Sequence, residues 1–310
     1  MSRLPTPITV SRPPDQHRAL RRRRAGEAAM AWSFVSPSVV IILGLSVVPI
    51  IWSLLLSFRA DDLVTPSRWV GLDNYRALAQ DPHFSQALRN TLLYTALYVP
   101  ASMVIGLALA LNRRIRFVGL YRTLFFVPFV VSATAQGVLF SFILDPEFGA
   151  ANAVLHHLGI PSQGFLTDPS QALPVLVAVS LWSGTGFCLV IYLAALQDVP
   201  VSLIEAARLD GAGRGQLLRH VTLPALRPVT VFLLLWQAIQ ALQAFDLVYV
   251  TTKGGPLGST TVIVYFIWEQ AFKNATAGYG AASAYVLAVA LGLIGLILQV
   301  VRRRLQGASA

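Results

Sequence analysis

The chain has 310 residues, of which 55% are hydrophobic and 12% are charged, about half the charged share of an ordinary soluble domain. That apolar excess is too large for a core and excludes a soluble globular protein; it is the composition of membrane-facing surface. The single cysteine, Cys188, lies inside an apolar run, which excludes an intrachain disulfide and a thiol cluster for a metal and leaves it the role of a small hydrophobe in a helix.

In chain order, residues 1–27 are rich in arginine and proline. The apolar run behind them is about twice the length of a signal-peptide core and has no small-residue cleavage site. They read as a disordered basic tail on the cytosolic side, held there by Arg21–Arg24. A helix needs about 20 apolar residues to cross a bilayer. Windows of roughly that size occur at residues 28–58, 90–112, 123–144, 169–197, 228–245 and 274–301. The fifth is short and is expected to continue past Asp246 toward Val250. A further apolar run, residues 262–268, is too short to span and reads as an interfacial or re-entrant helix.

Six spans put both termini on one face, together with the polar stretches at 113–122 and 198–228. That face carries 18 of the 24 lysines and arginines and five of the 14 acids, hence +13; the other carries −3. The asymmetry follows the positive-inside rule, makes that face cytosolic, and explains the net charge of +10 without nucleic acid. The expected division is therefore a cytosolic tail (1–27), a transmembrane domain (28–301) and a short cytosolic C-terminal tail (302–310).

Catalytic chemistry is not legible. There is no phosphate-binding G-x-x-x-x-G-K-[ST], and the only lysines, Lys253 and Lys273, fall on the outer face. ATP and magnesium are therefore expected on another polypeptide. His156 and His157 are adjacent, so on a helix they point about 100° apart and do not share a metal. Secondary transport driven by protons or sodium calls for ionisable groups at membrane depth. Only Asp246, at the outer end of the fifth window, qualifies, which makes a cation-coupled carrier the weaker alternative. What the windows do offer is neutral: Gln136 in the third, Ser180, Trp182 and Gly184 in the fourth, and Gln237, Gln240 and Gln243 at three-residue spacing in the fifth, with Trp236 beside them. Amides are costly to bury in lipid, so they face protein or water. Such groups suit an uncharged, hydroxyl-rich solute.

The longest charged interruption between two apolar runs in the second half of the sequence is residues 200–228. Ser202 and Glu205 have capping-box spacing for a helix start, and Asp210-Gly211 supplies a turn or C-cap. A second short amphipathic piece, residues 216–221, leads to Leu223-Pro224 and Pro228. The order Glu205-Ala206-Ala207, Asp210-Gly211-Ala212, Leu223-Pro224 resembles the "EAA" coupling loop of permease subunits in binding-protein-dependent ABC importers. The resemblance is greatest to the group importing maltose-type sugars, oligosaccharides and glycerol phosphate. Residues 71–75 (G-L-D-N-Y), 81–84 (D-P-H-F) and 245–256 (F-D-L through G-G-P) are similar to segments of the same group, and the likeness covers most of residues 30–301.

The resemblance implies an all-α, six-span type I importer permease of the bacterial plasma membrane, with a cytosolic coupling helix between the fourth and fifth spans. It implies a second permease subunit, a dimer of ABC ATPases, an extracytoplasmic solute-binding protein and the lipid bilayer as partners, and no cofactor in this chain. Docking onto the ATPase would fall to Glu205, Ala206, Ala207, Asp210 and Gly211; Trp182, Gly184 and Gln237 match positions that line the solute path. The expected cargo is a sugar or oligosaccharide, with glycerol 3-phosphate or a glycerophosphodiester as the alternative.

Overall fold

The structure, a computed structural model, describes Glu27 and residues 30–111 and 118–307. The expected basic tail, Glu27 apart, lies outside the described residues, as do Arg113, Arg114 and Arg116 of the second cytosolic cluster. The chain divides into two units that meet between Leu55 and Leu56. The first is essentially one helix, α1, Met30–Leu56. None of its side chains within this unit is buried. It widens into a π turn at Leu43–Val47, just where the ring of Pro49 presses on the preceding turn and supplies no amide.

The second unit opens with a two-stranded hairpin, β1 Arg59–Ala60 and β2 Arg68–Trp69, paired antiparallel. Helix α2, Asp73–Gln80, follows. The G-L-D-N-Y segment fastens this corner: Asn74 Nδ2 donates to the carbonyls of Ser57 and Arg59 at 2.8 and 2.9 Å, and the Tyr75 and Ser57 hydroxyls lie 2.8 Å apart. Next come α3 Pro82–Leu111, α4 Val118–Val130, α5 Ala133–Ile143, α6 Ala150–His157 and α7 Ala172–Gln197. The loop carries α8 Val201–Leu209 and α9 Arg214–Leu217, the latter continued by a π turn at Leu218–Thr222. Then follow α10 Arg227–Leu242, α11 Asp246–Val250, α12 Ile263–Trp268 and α13 Ala277–Gly307. The last runs through Arg302–Arg304 without a break, so the helix does not stop at Val301.

Among the described residues, four helices are long and apolar enough to cross a membrane: Met30–Leu56, Pro82–Leu111, Ala172–Gln197 and Arg227–Val250. The third expected window is not one straight span. It is two helices, Thr123–Val130 and Ala133–Ile143, bent by 105°, and five spans result if the pair counts as one. Its cause lies in the sequence. Pro128 weakens the last turn of α4, and Ser132 caps α5 by accepting the Ala135 amide. Gln136 Nε2 then donates back to the carbonyls of Pro128 and Val131 at 3.0 and 2.7 Å, satisfying groups that the break leaves open. The fifth window does continue past Asp246, across an irregular joint at residues 243–245. The short run near 262–268 is α12, whose Ile263 and Phe266 are buried against α3 and α13, while its Tyr265 is buried with Leu176 of α7 and Val248 of α11.

The core lies where α3 packs along α7, with α4 and α10 beside them. Small residues allow the approach. A Cβ on Gly106 would stand 2.5 Å from that of Cys188, which also accounts for the buried thiol, and a Cβ on Gly186 would overlap the Phe125 carbonyl oxygen. That oxygen is backbone and does not yield without moving α4. Gly186→Ala is therefore expected to destabilise the fold by about 1–3 kcal/mol, while Gly119→Ala, which meets open space, leaves the melting temperature in detergent unchanged or slightly higher.

Candidate functional site

Helices α3, α7 and α10 and the joints at residues 131–133 and 243–247 enclose an open cleft of about 320 Å3, at the lower end of the size range of small-molecule sites. Five of the six residues expected on a solute path line it: Gln136, Ser180, Gly184, Gln237 and Gln240. Gln243, in the joint just past the end of α10, joins them, so all three glutamines of the fifth window border one space. Trp182 does not line it. It lies two residues from both Ser180 and Gly184, about 200° around α7, and its indole packs edge-on against Phe140 with centroids 5.3 Å apart. The indole at the cleft is Trp236, stacked between Phe187 and Phe232 at 5.7 and 6.3 Å.

Two tyrosines that sequence reasoning missed organise this cleft. Tyr94 and Tyr98, one turn apart on α3, stack with centroids 5.8 Å apart. The Tyr94 hydroxyl donates to Ser180 Oγ at 2.6 Å, and Ser180 Oγ donates to the Leu176 carbonyl at 2.9 Å. Gln237, 2% exposed, donates from Nε2 to Tyr98 Oη at 3.1 Å and to Ser102 Oγ at 3.0 Å. The signal was available: tyrosine, tyrosine and serine recur at four-residue steps, 94, 98 and 102, along one face of an apolar helix.

The site residues thus divide by what holds them. Gln136 closes the α4–α5 break, and Gln237 anchors Tyr98. Gly184 gives up its Cβ to make room for Tyr98, because an added Cβ would coincide with the phenol oxygen; its close approach serves a side chain of this chain. Gln240 and Gln243 are exposed on the cleft, and their side-chain amides have no hydrogen-bond partner among the described residues. Asp246, the first residue of α11, is the only charged residue that lines the cleft. Its surface otherwise consists of hydroxyls, amides and ring faces, a set able to donate to and accept from a polyhydroxylated solute and to stack on its apolar faces.

The loop with the EAA order is built differently from its expected start and as expected at its turn. The N-cap of α8 is Pro200, without a side-chain cap, so Ser202 and Glu205 fall inside the helix and form no capping box. Valine at the first turn follows a proline whose φ of −58° already suits a helix entry. At the other end Gly211 takes φ +81°. The Ala212 and Gly211 amides donate to the carbonyls of Ala207 and Arg208 at 2.9 and 3.0 Å, a Schellman closure. The capping contact in this loop occurs one element later, where the Gly213 amide donates to Gln216 Oε1 at 2.8 Å. α8 buries none of its residues; Leu203 and Leu209 are 53% and 89% exposed. Ala207, Asp210, Gly211, Gln216 and His220 line a shallow depression between α8 and α9.

The chain is 34% identical over 274 residues to the lactose transport system permease protein of Rhizobium radiobacter, covering 86% of this chain and 91% of that one. It is 32% identical over 236 residues to the sn-glycerol-3-phosphate transport system permease protein of Agrobacterium fabrum, covering 75% and 80%. Its fold superposes with a TM-score of 0.80, at 23% identity and over 91% of this chain and 97% of the other, on a chain from the crystal structure of a bacterial alginate ABC transporter in complex with an alginate pentasaccharide-bound periplasmic protein. Residues 102–308 match the family described as binding-protein-dependent transport system inner membrane component. The chain belongs to that family, the permease subunits of binding-protein-dependent ABC importers.

Proposed function

We propose that this permease carries a neutral sugar or oligosaccharide across the bacterial plasma membrane by alternating access, as one half of a six-plus-six-span pore with a second permease. Both termini and α8 face the cytosol. A dimer of ABC ATPases docks on α8 and the depression behind Ala207 and Gly211, and an extracytoplasmic binding protein delivers solute to the opposite face. Closure of the ATPases pushes on α8; the helices continuous with the loop, α7 and α10, move as bodies and change which side the cleft opens to. The push acts only through contacts that differ between the two ATPase states.

The observation that carries the substrate class is the cleft: amides, hydroxyls and aromatic faces with no cation, and one carboxylate at its rim. Glycerol 3-phosphate or a glycerophosphodiester is the second reading, favoured by the similarity to the sn-glycerol-3-phosphate permease; it requires a cation contributed by the second permease. Uptake of a labelled solute mixture into proteoliposomes holding the whole transporter, with its binding protein, distinguishes them. Competition by uncharged glycosides and none by glycerol 3-phosphate is expected, and the reverse pattern would replace the first reading with the second.

A further inference from the structure

A second groove, of about 610 Å3, runs between α3 and the start of α7 and shares no lining residue with the cleft. Along α3 its wall is Gln86, Arg89, Leu93 and Leu97, successive steps of three or four residues and therefore one helix face. Leu173 of α7 faces them. The groove is thus polar and cationic at one end and apolar along the rest. From Arg89 to Leu97 the helix rises about 12 Å, most of the ~15 Å depth of one leaflet of hydrocarbon. Leu93 and Leu97 are 43% and 49% exposed.

Two groups at the polar end lack partners. Arg89 is exposed, and the ion pairs found among the described residues, Arg76–Asp73 and Lys273–Glu269, do not involve it; it makes no hydrogen bond there either. The Ser259 hydroxyl is buried without a hydrogen-bond partner. Its loop is held against this end of α3, since Gln86 Nε2 donates to the Leu257 carbonyl and Asn90 Nδ2 to that of Gly258. The nearby carboxylate of Asp168 is already engaged by the amide and hydroxyl of Ser170 at 2.7 and 2.6 Å and does not line the groove.

We propose that this groove holds an anionic phospholipid from the leaflet at the α2 end of α3, opposite the α8 end of α7. The lipid phosphate accepts from the Arg89 guanidinium, whose fork matches phosphate oxygens. One acyl chain lies along Leu93, Leu97 and Leu173. An arginine standing above an apolar stripe at the membrane boundary is where a snorkelling cation meets headgroups. A soluble anion would leave the leucine-lined end of the groove unused, and an apolar protein partner would leave Arg89 unpaired.

The test is native mass spectrometry of the intact, delipidated transporter titrated with phosphatidylglycerol or phosphatidylcholine. The wild type is expected to retain phosphatidylglycerol in preference. Arg89→Ala loses about fivefold of that preference, Arg89→Lys keeps part of it, and Leu97→Trp, which fills the apolar end, weakens both lipids. Glycerol phosphate, lacking acyl chains, does not compete. Equal phosphatidylglycerol affinity in Arg89→Ala and wild type would overturn the proposal. So would displacement by glycerol phosphate, or disulfide cross-linking of Leu93→Cys to the second permease, which would show protein in place of lipid.

Discussion

Replacing Ala207 by arginine is expected to uncouple transport from ATP hydrolysis. Ala207 is half-buried and forms the wall of the depression between α8 and α9, so a long cation there fills the space that a docking surface needs. The helix should survive, since arginine is a good helix former and α8 has no buried residues of its own to disturb. Overfilling a packed contact costs about 1–3 kcal/mol, which is roughly 5- to 150-fold in ATPase affinity. The measurement is co-purification of the ATPase subunits together with ATP-dependent uptake in proteoliposomes. Both should fall while the variant still inserts and folds. Normal uptake by Ala207→Arg would remove α8 as the docking element.

The same substitution at Gly211 is a poorer test. Its φ of +81° strains any Cβ-bearing residue by roughly 1 kcal/mol whatever its size, so loss of function there mixes a broken Schellman closure with blocked docking. Gly211→Asn, which tolerates the left-handed region better, separates the two: near-normal coupling is expected, because the turn survives and little bulk is added.

The second large effect is at the cleft. Gln237→Leu is expected to lower uptake at least about tenfold with only about 1 kcal/mol lost in stability, since hydrogen bonds between membrane helices average roughly 0.6 kcal/mol each. The structure adds a sharper form of this expectation. Gln237 acts on the cleft through Tyr98, whose hydroxyl it holds at 3.1 Å. Tyr98→Phe should therefore reproduce much of the defect, and the double variant should be little worse than Gln237→Leu alone. Gly184→Ala acts on the same hydroxyl, because the new methyl would overlap it, and belongs to the same non-additive set. Additive losses would mean that Gln237 and Tyr98 act separately, and unchanged uptake in Gln237→Leu would retire this cleft as the solute path.

The reach of the sequence is clearest where a single residue type has only one physical use. Apolar runs with almost no charge announce membrane helices, because a buried charge there is so costly; Gly211 announces its turn, because other residues resist positive φ. The glutamines at 237 and 240 share the cleft because the pitch of α10 puts them on neighbouring faces. The order of residues from Glu205 to Pro224 pointed to the family before any coordinates. Tertiary structure decided the rest, since it turns on which neighbour arrives at a given face. Trp182 and Trp236 are equally suited to a sugar by type, yet only their three-dimensional neighbours assign one to Phe140 and the other to the cleft. Ser202 and Glu205 have capping spacing, yet Pro200 starts the helix and places them within it. Gln136 and Gly184 both line the cleft, but only the three-dimensional contacts show that one also seals a 105° break and that the other also makes room for a tyrosine from a distant helix. Local periodicity determines what each segment is, and contacts between residues far apart in the chain determine what each side chain is for.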